Sequence, residues 1–291
     1  MLTHVISYLR HFKLVLAFLS FTVTMYGGSV SENVEDMKRK ANTLYARKMF
    51  APAKDLYTRI LREITDSEKG NTDFSCTIRC NRAACYIELG EYPRAVLDLS
   101  PVVGPAHTSL LSLHAKAYYS LSRAFLEMGH AEEARRHFDH YVRMAGTTAS
   151  NDPAAKELQR KIHERAGRSN PLMRPIMYQV RVLTKEAGEE EFVKEELVPA
   201  ELCAPDPPKD RTIVLLKYLL RKYDKEVRDS KPWKCWNCER PANSITHTPS
   251  SFLHHAVPLV IDFSQPVCMN SGPCDMAGRE LVHNVLSSGR R

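Results

Sequence analysis

The chain has 291 residues, 43% hydrophobic and 26% charged, an ordinary globular balance with room for two modest domains that each bury a core. A formal charge of +7 makes the surface basic on balance, which suits an acidic partner and names none. Eight cysteines spread unevenly along a long chain argue against the disulfide framework of a short secreted protein and for reduced thiols with one metal site.

Residues 1–31 form a hydrophobic N-terminal segment. Its apolar run LVLAFLSFTVTMY (14–26) follows Arg10 and Lys13 and precedes the small residues GGSVS. It is shorter than the ~20 residues of a comfortable membrane span. Three uses compete: a cleaved secretory signal, a membrane anchor, or an extension with no targeting role. Weighed with the rest of the chain, the expected location is cytoplasmic, with the secretory pathway or membrane anchoring through residues 14–26 as the alternatives.

Three segments then share one pattern: KANTLYARKMFAPAKDLYTRIL (40–61), NRAACYIELGEYPRAVLDL (81–99) and KAYYSLSRAFLEMGHAEEARRHFDHYV (116–142). Each runs as a helix-period stretch, a turn, then an alanine that opens a second helix-period stretch. Ala53, Ala95 and Ala134 mark the close crossing of two helices, and Gly90 and Gly129 sit where the turn needs positive φ. Tyr45, Tyr86 and Phe125 fill a large-residue slot in the first helix, and Tyr57, Leu97 and Phe138 one in the second. DPAAKELQRKIHERAG (152–167) opens on Asp-Pro and is polar enough to cap a repeat stack. Cys76, Cys80 and Cys85 are read as small buried packing residues.

The pattern resembles the tetratricopeptide repeat (TPR), with three helix pairs over residues 34–145. The marker alanines lie further apart than the family's period of about 34 residues, so the connectors, such as TDSEKGNTDFS (65–75), are longer than minimal turns. The resemblance implies a mainly α fold: a three-repeat helical-hairpin solenoid with a capping helix, over a domain spanning 32–168. It further implies a groove lined by the first helix of each pair. One subgroup of the family, the carboxylate-clamp co-chaperones, holds there the C-terminal carboxylates of heat-shock chaperone tails ending Glu-Glu-Val-Asp. That clamp is a Lys and an Asn four apart on the first helix, an Asn on the third, and a Lys and an Arg four apart on the fifth. The matching positions hold Lys38, Asn42, Asn81 and Lys116, with Ser120 where the Arg is expected. Ammonium and amide donors one helical turn apart can face two carboxylates together, whereas a serine cannot replace the planar guanidinium fork. The periodic alignment puts Arg123 on a different face. Against the clamp stands a plainer account, in which the asparagines bond neighbouring backbone and the lysines are solvated surface.

The character changes after SNPLMRP (169–175). Residues 169–209 read as a linker that includes one strand, IMYQVRVLT (176–184), followed by the charged turn EAGEEEF and the proline-rich CAPDPPKD (203–210). Residues 210–291 read as a helix followed by a small α+β module. The helix, 211–229, is amphipathic with Ile213, Leu216, Leu220, Tyr223 and Val227 on one side, and VPLVIDF (257–263) is a strand by composition. Cys235-x-x-Cys238, in WKCWNC, and Cys268…Cys274, in PVCMNSGPC, are two short-spaced pairs about thirty residues apart. Structural zinc sites are often supplied this way, so these four cysteines are the expected Zn²⁺ ligands. The second gap is wider than usual. His247, His254 and His255 lie between the pairs and could replace a cysteine, though each reads better as a loop histidine. A redox role lacks its βαβ context, and disulfides within each pair follow only if the N-terminal run is a signal.

Catalytic constellations are missing: there is no GxSxG, no HExxH, and only twelve glycines from which to build a phosphate loop. The expected function is a non-enzymatic, co-chaperone-like adaptor that binds an acidic C-terminal peptide. The alternatives are a general TPR scaffold for another peptide, and a nucleic-acid-binding protein using the basic zinc module. The latter ranks lower because the module lacks a clustered basic-aromatic surface.

Overall fold

In the computed structural model, the described residues are 33–65, 72–103, 111–166, 172–184, 190–269 and 272–288. The apolar run 14–26 and most of the connector 65–75 lie outside them. Helix α1 (Val34–Ala46) starts where the Asn33 side chain accepts the Glu35 N–H at 3.2 Å, satisfying one of the free donors of the first turn. A tight turn leads into α2 (Phe50–Thr65). The second pair is α3 (Thr72–Glu88) and α4 (Tyr92–Leu99), and the third is α5 (Leu111–Glu127) and α6 (Ala131–Ala145). Gly90 and Gly129 turn the second and third pairs with φ of 76° and 88°; Lys48 takes the same left-handed conformation, φ 60°, in the first. The turn's backbone requirement thus repeats three times although glycine meets it only twice.

Ala53, Ala95 and Ala134 are fully buried at the helix crossings, and Tyr57, Phe125 and Phe138 are buried in the slots read from the sequence. Cys76, Cys80 and Cys85 are core residues, and burial raises all three thiol pKa values, Cys80 and Cys85 to about 12. Between the helices, Arg82 makes a two-pronged pair with Asp98 at 2.7 and 2.5 Å and reaches Thr58 at 3.1 Å, tying α3 to α4 and α2. A short helix, α7 (Thr147–Asn151), leads into the capping helix α8 (Pro153–Ala166), whose Ala155, Leu158 and Ile162 close the repeat core.

The stretch expected as a linker contributes half of a sheet. Strands β1 (Met173–Val182) and β2 (Glu190–Pro199) pair antiparallel, and β1 then runs parallel to β4 (Leu259–Val267), itself antiparallel to β3 (Ser244–Phe252). The order is β2-β1-β4-β3. Charge had hidden β2, whose glutamates sit on an edge strand where alternate side chains meet water. Helix α9 (Lys209–Asp229) is present, but its buried stripe is Leu215, Leu219 and Val227, with Ile213 half exposed. The four-residue row through 215, 219, 223 and 227 replaces the expected stripe because Tyr223 stacks on Tyr178 of β1 at 5.2 Å. Helix α10 (Pro273–Ser288) ends the described chain.

The sheet rests on the second helices of the repeats. Arg174 of β1 pairs with the buried Glu133 of α6 at 2.5 and 3.3 Å, His130 before α6 bonds Glu195 of β2, and Met177 and Val257 join the helical core. The chain is thus mainly α: three TPR-type hairpins and a cap, followed by a small α+β module. Among the described residues no helix is long and apolar enough to cross a membrane.

Candidate functional site

The first helices α1, α3 and α5 lie side by side, and the residues expected to form a clamp meet across them. Lys116 Nζ on α5 donates to Asn81 Oδ1 on α3 at 2.8 Å. Asn81 Nδ2 donates in turn to Asn42 Oδ1 on α1 at 3.3 Å, and that oxygen also accepts the Tyr57 hydroxyl at 2.6 Å. Lys38, one turn before Asn42, carries its ammonium 4.9 Å from the centre of the Phe74 ring and 3.4 Å from Glu35. Asn42 and Lys116 are exposed, so the row opens to solvent. The asparagines bond side chains of neighbouring repeats here, which the plainer backbone-bonding account did not anticipate.

Ser120 is buried and offers no charge to the groove. Arg123 departs from the sequence expectation. Seven residues after Lys116 it returns to the same side of α5, and its guanidinium reaches Glu88 of α3 at 3.0 Å. Glu88 is itself seven residues after Asn81, so the two bonds form parallel rungs between the helices. Spacing from Ser120 puts Arg123 on another face, whereas spacing from Lys116 puts it on this one.

The second candidate site is the cysteine cluster. The Sγ atoms of Cys235, Cys238, Cys268 and Cys274 all lie within 4.8 Å of one another, with Cys238 and Cys268 3.6 Å apart. A tetrahedron of thiolates about 2.3 Å from a central zinc has edges of roughly 3.8 Å, so the donor set fits a four-coordinate closed metal site. The knuckle is made by Cys235 N–H bonding Arg240 O at 2.8 Å and by Glu239, at φ 62°, donating back to Cys235 O at 3.0 Å. Cys268 follows β4, and Cys274 is in the first turn of α10. Gly278 on that helix permits the approach, since a Cβ there would stand 2.1 Å from Gln265 Oε1 and 3.0 Å from Trp236 Nε1.

Arg240 spans the open side of the cluster, 3.4 Å from Cys238 Sγ and 3.6 Å from Cys268 Sγ. Its hydrogen bond lowers the Cys238 thiol to about 6, whereas burial pushes Cys274 up to about 12. Four cysteines close together can hold a metal ion; the three histidines take no part. His247 instead lies between Asp262 at 2.7 Å and Asp224 at 3.1 Å, pinning α9 to the sheet. Burial opposes its protonation, but the two carboxylates outweigh that and raise its pKa. His254 and His255 pack against each other in the loop after β3.

No family model matches the chain. Over 110 residues it is 32% identical to the Hsp70/Hsp90 co-chaperone CNS1 of Saccharomyces cerevisiae, covering 38% of this chain and 26% of the relative. Over 140 residues it is 29% identical to the Hsp70/Hsp90 co-chaperone cns1 of Schizosaccharomyces pombe, covering 47% of this chain and 36% of the relative. The matched stretches thus span between about a quarter and about a third of these relatives' own length. A solved structure of the Hsp90 co-chaperone Cns1 from Saccharomyces cerevisiae aligns with a TM-score of 0.32 at 20% identity, over 59% of this chain and 68% of that one, a likeness too low to carry an argument. By sequence, the chain is similar to TPR-type co-chaperones.

Proposed function

We propose that this chain is a non-enzymatic, co-chaperone-like adaptor whose groove holds the acidic C-terminus of a partner protein. The row Lys116–Asn81–Asn42, with Lys38 one turn from its end, is the observation that carries this reading. A terminal aspartate brings two carboxylates, which need fixed donors more than they need bulk positive charge. Asn81 holds the Lys116 ammonium in place before a ligand arrives, and an exposed lysine otherwise loses much rotamer freedom on binding. Similarity to Hsp70/Hsp90 co-chaperones supports chaperone tails ending Glu-Glu-Val-Asp as ligands, and the cytoplasm as the place of action. Residues 32–168 are the peptide-holding unit in this proposal.

The cysteine cluster holds a structural Zn²⁺ through Cys235, Cys238, Cys268 and Cys274. A small module of four strands and two helices gains stability from such a tie, and a closed thiolate site leaves no coordination position for catalysis.

A labelled ten-residue peptide ending Glu-Glu-Val-Asp, titrated into the full chain beside the same peptide with a terminal amide, tests the groove. Binding that weakens strongly with the amide is expected. Equal binding of both, or binding of neither, ends the proposal.

A further inference from the structure

We infer that Arg123 is a second acidic subsite of the groove, reading a carboxylate side chain about three residues before the ligand's C-terminus, with Glu88 holding its place in the free protein. This rests on the peptide-groove function proposed above and names how the groove chooses among acidic tails.

Two rungs cross from α5 to α3: Lys116 to Asn81 and Arg123 to Glu88, at 2.8 and 3.0 Å. Each end of the second rung is seven residues beyond the first, a displacement of about 10.5 Å along the helices at 1.5 Å per residue. An extended peptide covers about 3.3–3.6 Å per residue, so a tail with its terminus on the first rung brings its third preceding residue to the second. In a tail ending Glu-Glu-Val-Asp that residue is the first glutamate.

The chemistry of the rung favours exchange. Both side chains are partly open to water, 38% for Arg123 and 31% for Glu88, and an exposed pair of this kind contributes little to stability. Glu88 therefore gives up its partner to solvent at small cost. The incoming carboxylate meets a guanidinium already held at the groove by its 3.0 Å bond to Glu88. Tyr45 stands on α1 seven residues after Lys38, which extends the second tier across all three first helices. The buried Ser120 leaves the first tier without a guanidinium, so the groove's planar fork stands one tier further along.

The test is a binding cycle on the full chain with ten-residue peptides ending Glu-Glu-Val-Asp and Gln-Glu-Val-Asp, plus the amide form of the first. Wild type is expected to prefer the Glu peptide by about tenfold, in line with a charge-assisted bond. Arg123→Gln abolishes that preference and leaves the acid-versus-amide difference intact, while Glu88→Gln tightens the Glu peptide several-fold. Thermal unfolding of both variants checks that the repeats stay folded. A preference that survives in Arg123→Gln overturns the subsite and leaves the clamp standing. Loss of the acid-versus-amide difference in wild type removes the clamp, and the subsite with it.

Discussion

Asn81 receives the Lys116 ammonium at 2.8 Å on its carbonyl oxygen, so an amide on the second repeat fixes a cation on the third. Removing either end should therefore hurt peptide binding through the same step. Lys116→Ala deletes the charge, and Asn81→Ala frees it to wander. Each variant is expected to weaken the acid-ended peptide by about tenfold or more while changing binding of the amide form little. The Lys38→Ala, Lys116→Ala double variant should leave no difference between the two forms. Titration calorimetry at two salt concentrations checks this, since the charge-dependent part weakens as screening increases. Asn81→Ala binding as wild type would remove Asn81 from the site, and Lys116→Ala binding as wild type would remove Lys116.

Much of the groove was legible because helical repeats write their packing into short-range periods. Ala53, Ala95 and Ala134 mark crossings that one residue's size decides, and Lys38, Asn42, Asn81 and Lys116 fall in register with them. Arg123 reads as lying on a different face when spaced from Ser120; its seven-residue repeat to Lys116 and its partner Glu88 place it beside the row, and sequence spacing does not reveal that partner. The second half was less legible. Strand β3 reads SITHTPSSF, with threonines and serines where apolar alternation is expected, because its inner face is a polar network rather than an oily one. There Asp262 accepts from Tyr178, Ser264 and the Thr248 N–H at 2.9–3.1 Å. The cysteines were found by spacing alone, but the Arg240 contacts depend on the φ 62° turn at Glu239, which spacing does not report.

The cysteine cluster makes a prediction separable from the groove. The purified full chain should carry one equivalent of zinc, and the double variant Cys238→Ser, Cys268→Ser should carry none. Because Cys274 anchors α10 and Cys235 anchors the turn after α9, losing the metal should lower the melting temperature of the sheet module. Peptide binding to the repeats should persist at 25 °C. Metal analysis with parallel melts decides it. A zinc-free wild type with an unchanged melt would assign the cluster to simple thiol packing.

Glu133 and Arg174 join the repeats to the sheet, with Glu133 only 3% exposed. Breaking a buried pair from one side strands a charge, which costs about 3–5 kcal/mol. Glu133→Ala should therefore destabilise strongly, with the largest loss of amide-exchange protection along β1 and α6. Replacing both residues by apolar ones of similar size should recover most of the loss. If Glu133→Ala melts within a degree of wild type, the pair is not what holds the two parts together.

His137 gives the clearest pH signature. It lies flat against Phe125, 5.1 Å between centroids and 8° between planes, and neither ring nitrogen has a hydrogen-bond partner among the described residues. Glu133 Oε1 stands 3.8 Å from Nε2, beyond hydrogen-bond reach. Burial first, then the charges of His140, Arg174 and Arg136, lower its pKa to about 3. The unfolded chain takes up that proton near its ordinary value of about 6.5, so below this pH the unfolded state binds more protons than the native one. The stability His137 provides when neutral is thus present above about pH 6.5 and drains by roughly 1.4 kcal/mol per pH unit as pH falls toward 3. His247 acts in the opposite window: its raised pKa keeps its contribution full below about pH 6.5 and loses it as pH rises. The two are separated by His137→Phe, which keeps the stacked ring and removes the titration. That variant should gain stability over wild type at pH 5 by more than at pH 7.5, the difference being about 2 kcal/mol from one and a half pH units. Denaturant unfolding at the two pH values measures it. Equal gains at both would mean that water reaches the His137 ring in the folded protein.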